Sequence, residues 1–235
     1  MVGMVWDRLA SSYDIVATAY EEEFLDELDA KPQDQQLLRV FADATSHSIA
    51  DVGCGPGQVG RFLCDKGRTV VGVDISMEMA RLAAKRLDAA FVADVRMLPF
   101  GGTTLGGVVA FYSLIHLPRE ELHVALAEIR RVLRPGGRVL LAVHEGRGQI
   151  EQHEFLGEEV PFAATLFSLD ELAQAIHRSG LRLTMSTRRA PYETEHQTVR
   201  LYVEAECHLP VTWDQVATGF ASDIGPHRLP VMGPP

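Results

Sequence analysis

The stretch Ile49–Leu63, IADVGCGPGQVGRFL, decides how the rest of the chain is read. Four glycines, Gly53, Gly55, Gly57 and Gly60, fall within eight residues. A short apolar run precedes them and a helix-like pattern follows, so this is a strand–turn–helix in which backbone can approach a ligand closely. Gly55, Gly57 and Gly60 also spell a literal GxGxxG, the dinucleotide signature, which is weak taken alone. The ligand could be a dinucleotide's pyrophosphate, a nucleoside triphosphate or another nucleotide-like cofactor. Asp51, placed just before the first glycine, would repel a pyrophosphate and attract a cationic ligand.

Outward from this turn, four more apolar runs follow, separated by helix-patterned segments: residues 69–75, 89–95, 106–114 and 137–145. Their hydrophobicity is nearly continuous, as in strands covered on both faces, and predicts a parallel sheet between two helix layers. Leu122, Leu126, Ile129 and Leu133 form one stripe of a helix that Pro118 opens and Pro135-Gly136-Gly137 ends. Residues 146–167 are acidic and weakly periodic and read as an insertion or lid. Ser168 and Glu171 form a capping-box pattern for the next helix, which Gly180 closes. Two alternating strands end the domain and predict an antiparallel hairpin at a sheet edge.

Two further carboxylates sharpen the ligand. Asp74 ends the second run, where it can accept hydrogen bonds from both ribose hydroxyls. Asp94 ends the third, where it can take an adenine amino group while the backbone of Val95 reads the ring edge. Three carboxylates at the carboxyl edge of an open sheet suit an adenosine that carries positive charge and no phosphate. S-adenosylmethionine has that chemistry.

The segments DVGCGPG, VVGVDIS, ADVRMLPF and LRPGGRVLLAV closely resemble the successive motifs of class I S-adenosylmethionine-dependent methyltransferases, over roughly Tyr13 to Glu206. The resemblance implies a Rossmann-like three-layer α/β sandwich whose seven-stranded sheet has the order 3-2-1-4-5-7-6, the last strand antiparallel. It implies that Asp51, Gly53 and Gly55 contact the methionine part, that Asp74 and Met79 hold ribose and adenine, and that Asp94 and Val95 read the adenine. Cys54, Gly57, Ile75, Ser76, Arg96 and Tyr112 complete the expected binding set. Tyr13 and Tyr20, in helices like those of small-molecule members, are expected to close over the methyl donor.

The chemistry expected is transfer of the methyl group to an oxygen or nitrogen of a small organic acceptor. His116 and His144, at the ends of the fourth and fifth runs, are the candidate bases; each is otherwise a wall residue or hydrogen-bonding terminus. Tyr112 and Ser113 either face the acceptor or simply end a strand. Glu151 and His153 read as part of a solvated loop. Two other functions compete: a cofactor-binding protein without catalysis, and an NAD-dependent oxidoreductase. The latter would leave Asp51 and Asp94 unexplained, and no tyrosine is followed by a lysine four residues later.

The formal net charge of −10, from 32 acidic against 22 basic residues, argues against a nucleic-acid substrate. Cys54, Cys64 and Cys207 show no metal or disulfide spacing, so no metal site is expected. With no leader pattern and no long apolar run, the expectation is a cytoplasmic monomer or homodimer with no membrane contact. Residues 1–207 read as one domain, with 1–45 a helical cap, followed by a proline-rich tail at 208–235.

Overall fold

The computed structural model describes residues 2–208; apart from His208, the proline-rich tail lies outside the described residues. Helices α1 (Val2–Phe24) and α2 (Pro32–Ala44), joined through a 3-10 turn at Glu27–Ala30, come before the sheet. Alternation then begins: β1 (Ile49–Val52), α3 (Gln58–Cys64), β2 (Val70–Asp74), α4 (Met77–Ala83), β3 (Ala89–Val92), β4 (Leu105–Phe111), α5 (Leu122–Val132) and β5 (Leu133–His144). A small pair, β6 (Gln149–Gln152) and β7 (Phe162–Thr165), leads into α6 (Leu169–Arg178), β8 (Leu181–Arg189) and β9 (Arg200–Cys207).

Seven strands form one sheet in the order β3-β2-β1-β4-β5-β9-β8. Counted among themselves they run 3-2-1-4-5-7-6, the expected arrangement. The strands from β1 to β5 pair in parallel, and β9 runs antiparallel to both β5 and β8. Apolar side chains cover both sheet faces. Leu126, Ile129, Leu172 and Ile176 of α5 and α6 pack on one face, and Leu38, Phe41, Val59 and Leu63 of α2 and α3 on the other. Because β1 and β4 are buried at every position, neither could show the alternation of a half-exposed strand. The capping box forms as expected, with Ser168 Oγ accepting from Glu171 N at 3.3 Å and Glu171 Oε2 accepting from Ser168 N at 2.8 Å.

Four expectations are corrected. First, β3 is an edge strand that stops at Val92, with Phe91 46% and Val92 52% exposed; Asp94 and Val95 lie beyond it. Second, α5 ends at Val132, because Leu133 has already turned to extended backbone and pairs with Leu105. The Pro135-Gly136-Gly137 segment bulges out before pairing resumes at Gly107 and Arg138. Third, the alternation along β9 does not mark a solvent-exposed polar face, because Arg200, Tyr202 and Glu204 are buried. Fourth, residues 146–167 contain an ordered antiparallel pair, registered from Gln149 against Thr165 to Gln152 against Phe162.

Candidate active site

The parallel strands deliver their C-terminal ends to one edge of the sheet, and the glycine turn folds over it. Gly53 N donates to Val73 O at 2.7 Å, which curls the chain back across β2. Gly53 has φ +68°, and a Cβ there would lie 2.1 Å from Ser113 Cβ, so only glycine fits. Gly55 N donates to Asp74 Oδ2 at 2.8 Å, and Ser76 N donates to Asp74 Oδ1 at 2.9 Å. Asp51 Oδ2 accepts from Gly60 N at 2.8 Å, tying the end of β1 to the start of α3. Each of these carboxylates is fixed by backbone before any ligand arrives.

They border a cleft at the strand ends. Its lining includes five carboxylates, Glu27, Asp34, Asp51, Asp74 and Asp94, and among the described residues no lysine or arginine. Burial pushes Asp51 up to about 7 and Asp74 up to about 6, since neither has a cationic neighbour to offset desolvation. Ile75, Met79 and Val95 give an apolar wall beside Asp74. Such a lining suits a cation joined to a flat, partly apolar body, and each Asp74 oxygen retains a lone pair for a ribose hydroxyl. The residues therefore fit an adenosyl sulfonium.

The predicted residues divide into two groups. Tyr13, Tyr20, Asp51, Gly53, Cys54, Gly55, Asp74, Ile75, Met79, Asp94, Val95, Tyr112 and His116 all border the cleft. Four others do not. Gly57, with φ +96°, shapes the N-terminus of α3. Ser76 is fully buried as the cap of α4, its Oγ accepting from Met79 N at 3.1 Å and donating to Asp14 Oδ1 at 2.5 Å. Arg96 grips Asp94 from outside, its Nε lying 2.9 and 3.0 Å from the two carboxylate oxygens. Burial alone would raise Asp94, but these hydrogen bonds outweigh it and hold the carboxyl below its usual range. The carboxylate expected to take an adenine amino group is thus already charge-paired.

His144 is the fourth, and its expected role as base does not survive its position. It sits behind Tyr112, ring centroids 5.2 Å apart, with Nδ1 2.7 Å from Thr198 Oγ1. Burial, helped by Arg200, lowers it to about 3. Tyr112 itself adopts φ +55°, a left-handed conformation rare for a bulky residue, where β4 ends and the chain turns.

His116 does face the cleft. Its Nδ1 lies 2.8 Å from Ala163 O and its Nε2 lies 2.8 Å from Tyr13 Oη. A carbonyl can only accept, so the proton sits on Nδ1 and Tyr13 donates to Nε2. Burial lowers His116 to about 4, which fixes the neutral imidazole at neutral pH. The pair links α1 to β7 across the mouth of the cleft. A second tie, Ser12 Oγ to Pro161 O at 3.2 Å, lies beside it.

Sequence reading missed the far end of the cleft. Asp34, Glu27 and Gln58 line it there, and Asp34 belongs to a buried charge cluster. Arg189 Nε donates to Asp34 Oδ1 at 3.1 Å and its Nη1 to Glu195 Oε2 at 2.7 Å. Lys31 lies 2.5 Å from Glu27 and 3.0 Å from Glu195. Tyr202 donates to Asp34 Oδ1 at 2.8 Å, and its oxygen is 3.2 Å from that of Tyr112. The only signal in the sequence was the polar set alternating along β9.

Residues 49–137 match the family model described as a methyltransferase domain. The chain is 28% identical over 192 residues to the malonyl-[acyl-carrier protein] O-methyltransferase of Hamiltonella defensa, covering 79% of this chain and 69% of that one. It is 28% identical over 162 residues to Methyltransferase GfsG of Streptomyces halstedii, covering 63% of this chain and 58% of that one. The chain spans 58–65% of the length of four of the curated relatives it matches. Among solved structures, the 1,6-didemethyltoxoflavin-N1-methyltransferase of Burkholderia thailandensis superposes with TM-score 0.63 at 20% identity, covering 85% of this chain and 88% of that one. Over residues 49–137 the chain is thus similar to a methyltransferase domain, and its fold is that of solved S-adenosylmethionine-dependent methyltransferases.

Proposed function

We propose that this protein transfers a methyl group from S-adenosylmethionine to an oxygen or nitrogen of a small organic acceptor. The observation carrying this reading is the cleft at the strand ends, lined by carboxylates and, among the described residues, by no lysine or arginine. A pyrophosphate-bearing dinucleotide would meet only repulsion there. When bound, S-adenosylmethionine supplies a methyl carbon already activated by its positive sulfur.

The chain's own task is then mainly alignment, worth about 7–11 kcal/mol of barrier in favourable cases. Asp74 offers acceptors to the ribose, Asp51 supplies negative charge near the sulfonium, and Met79 with Ile75 holds the flat ring. Tyr13, fixed by neutral His116, positions one wall of the mouth and excludes water. A histidine held at about 4 is a weak base at neutral pH, so His116 acts as a positioning residue through Tyr13. Asp94 contributes through Val95: paired with Arg96, it braces the loop whose backbone meets the adenine edge.

Calorimetric titration with S-adenosylhomocysteine and with NAD separates the readings, and a labelled methyl donor with a panel of acceptors completes the test. Binding of S-adenosylhomocysteine without NAD, and label transfer to an acceptor, are expected. NAD binding with no S-adenosylhomocysteine binding overturns the proposal. Tight binding with no transfer to any acceptor would leave a cofactor-binding protein without catalysis.

A further inference from the structure

Tyr202 of β9 is fully buried, and its hydroxyl has three partners. It donates to Asp34 Oδ1 at 2.8 Å, accepts from Arg189 Nε at 3.1 Å and lies 3.2 Å from Tyr112 Oη. A carboxylate ion-paired with Arg189 only accepts, so the single hydroxyl proton of Tyr202 goes to Asp34. Tyr112 must then donate to Tyr202. The Tyr202 ring packs in the core with Phe41 and Phe111, where a phenylalanine ring would fill the same space. A buried hydroxyl is costly unless hydrogen-bonded, so this oxygen has a role that packing does not set.

That role lies in the cleft. Tyr202 borders no part of it, but Asp34 and Tyr112 both do. Tyr112 holds its left-handed φ of +55° where β4 ends, and its hydroxyl is tied from behind by Tyr202. Asp34 Oδ1 is taken by Arg189 and Tyr202, which leaves Oδ2, buried and without a hydrogen-bond partner, as the oxygen available to a ligand. One hydroxyl thus sets the aim of a carboxylate on α2 and of a ring after β4.

The neighbours of Asp34 show which part of a ligand this concerns. Arg189 joins Asp34 to Glu195, and Lys31 joins Glu195 to Glu27. Glu27 in turn accepts from Gln58 Nε2 at 3.4 Å. Gln58 stands against the glycine turn: a Cβ on Gly55 would lie 3.4 Å from its Oε1 and 3.7 Å from Tyr20 Cε1. Gly55 is expected to meet the methionine part of the donor, whereas ribose and adenine belong with Asp74 and Met79. On that reading the Asp34 end faces the donor's amino-acid part.

We infer that Tyr202 is a positioning residue for the methyl donor, acting on its amino-acid part through Asp34 and Tyr112 without touching it. This inference rests on the methyl-donor reading of the cleft. Without the hydroxyl, Tyr112 Oη loses its tie to β9 and Asp34 Oδ1 is held by Arg189 alone, while the packing of the ring is kept.

The test is calorimetric titration with S-adenosylhomocysteine and with 5′-methylthioadenosine, which lacks the amino-acid part, on wild type, Tyr202→Phe, Tyr112→Phe and the double variant. Tyr202→Phe is expected to weaken S-adenosylhomocysteine at least fivefold and 5′-methylthioadenosine less than twofold. Tyr112→Phe, which removes only one of the bonds, should show a smaller loss of the same kind. The double variant should bind no more weakly than Tyr202→Phe alone, because both changes break the same chain. An equal loss for both ligands marks a general structural effect and overturns the assignment. So does an unchanged affinity for S-adenosylhomocysteine, or a double variant whose loss is the product of the single losses. If Tyr202→Phe does not fold, Tyr112→Phe decides: a loss confined to S-adenosylhomocysteine supports the assignment and any other result overturns it. Wild type that binds neither ligand sinks the methyl-donor reading itself, an outcome distinct from variants that bind as well as wild type.

Discussion

At Gly53 two constraints coincide: a left-handed φ of +68° and a Ser113 Cβ that would stand 2.1 Å from any added Cβ. Ser113 cannot retreat freely, because its Oγ donates to Val52 O at 2.7 Å. Gly53→Ala is therefore expected to lower stability by about 1–3 kcal/mol through strain and displacement of the turn. It should also weaken S-adenosylhomocysteine binding at least tenfold, read by thermal melting and calorimetry. Gly67 has φ +76° but open space around it, so Gly67→Ala should cost less and leave binding intact. Both glycines look alike in the sequence; only the strand ending at Val52 marked Gly53 as the turn residue. Asp74 was legible for a similar reason, since a carboxylate ending a buried strand needs a partner. Asp34 was not. It sits in the first turn of α2, where an acidic residue is routine, and its burial depends on Tyr202 and Arg189, both more than 150 residues away.

Between elements, the mouth of the cleft is closed by hydrogen bonds that no periodicity reveals. α1 reaches β7 through Tyr13, His116 and the Ala163 carbonyl, and His116 lies in the 3-10 turn Leu114–His116 after β4. Phe155 and Phe162 stack 4.9 Å apart beneath, and Phe162 meets the His116 ring edge-on at 5.2 Å. His116→Ala removes the bond to β7, so amide exchange over Phe162–Thr165 should quicken while β1 and β4 keep their protection. Tyr13→Phe removes only the hydroxyl and should leave β7 protected. If transfer nonetheless slows similarly in both variants, alignment by the tyrosine is the shared cause. If Tyr13→Phe transfers at the wild-type rate, the positioning role fails. The acidic, weakly periodic stretch 146–167 hid this hairpin because its strands are four residues each and β6 is mostly exposed. The burial of the polar face of β9 was hidden too: apolar–polar alternation normally marks a solvated face, and here that face is covered and its charges are ion-paired.

Two sets of buried groups give the whole molecule opposing responses to pH. Asp51 and Asp74 are raised from 3.8 to about 7 and about 6, so the folded state holds protons that the unfolded chain has released. Their stabilisation is complete below about pH 4 and is lost as pH rises through 6 and 7. His116 and His144 are lowered from 6.5 to about 4 and about 3, so the unfolded chain holds the protons instead. Their stabilisation is complete above pH 6.5 and is lost as pH falls. Between about pH 5.5 and 6.5 the extra protons the native chain holds on these carboxylates match those it lacks on the histidines, and the terms cancel; below that window Glu195, Glu128 and Glu171, all lowered in the fold, add a further loss of stability. The ligand-free protein is expected to melt at nearly the same temperature across that window. A bound sulfonium favours the ionised carboxylates and removes one side of the balance. The loaded protein should therefore lose stability as pH falls from 6.5 to 5.5, chiefly by the histidine contribution. For the same reason, affinity for S-adenosylmethionine should drop roughly ten- to hundredfold between pH 7.5 and 5.5, with protons released on binding. Melting curves with and without the donor, and calorimetry in buffers of different ionisation enthalpy, check both. An affinity that is flat with pH would mean that Asp51 and Asp74 do not change protonation when the cation arrives, and the electrostatic account of the cleft would fail with it.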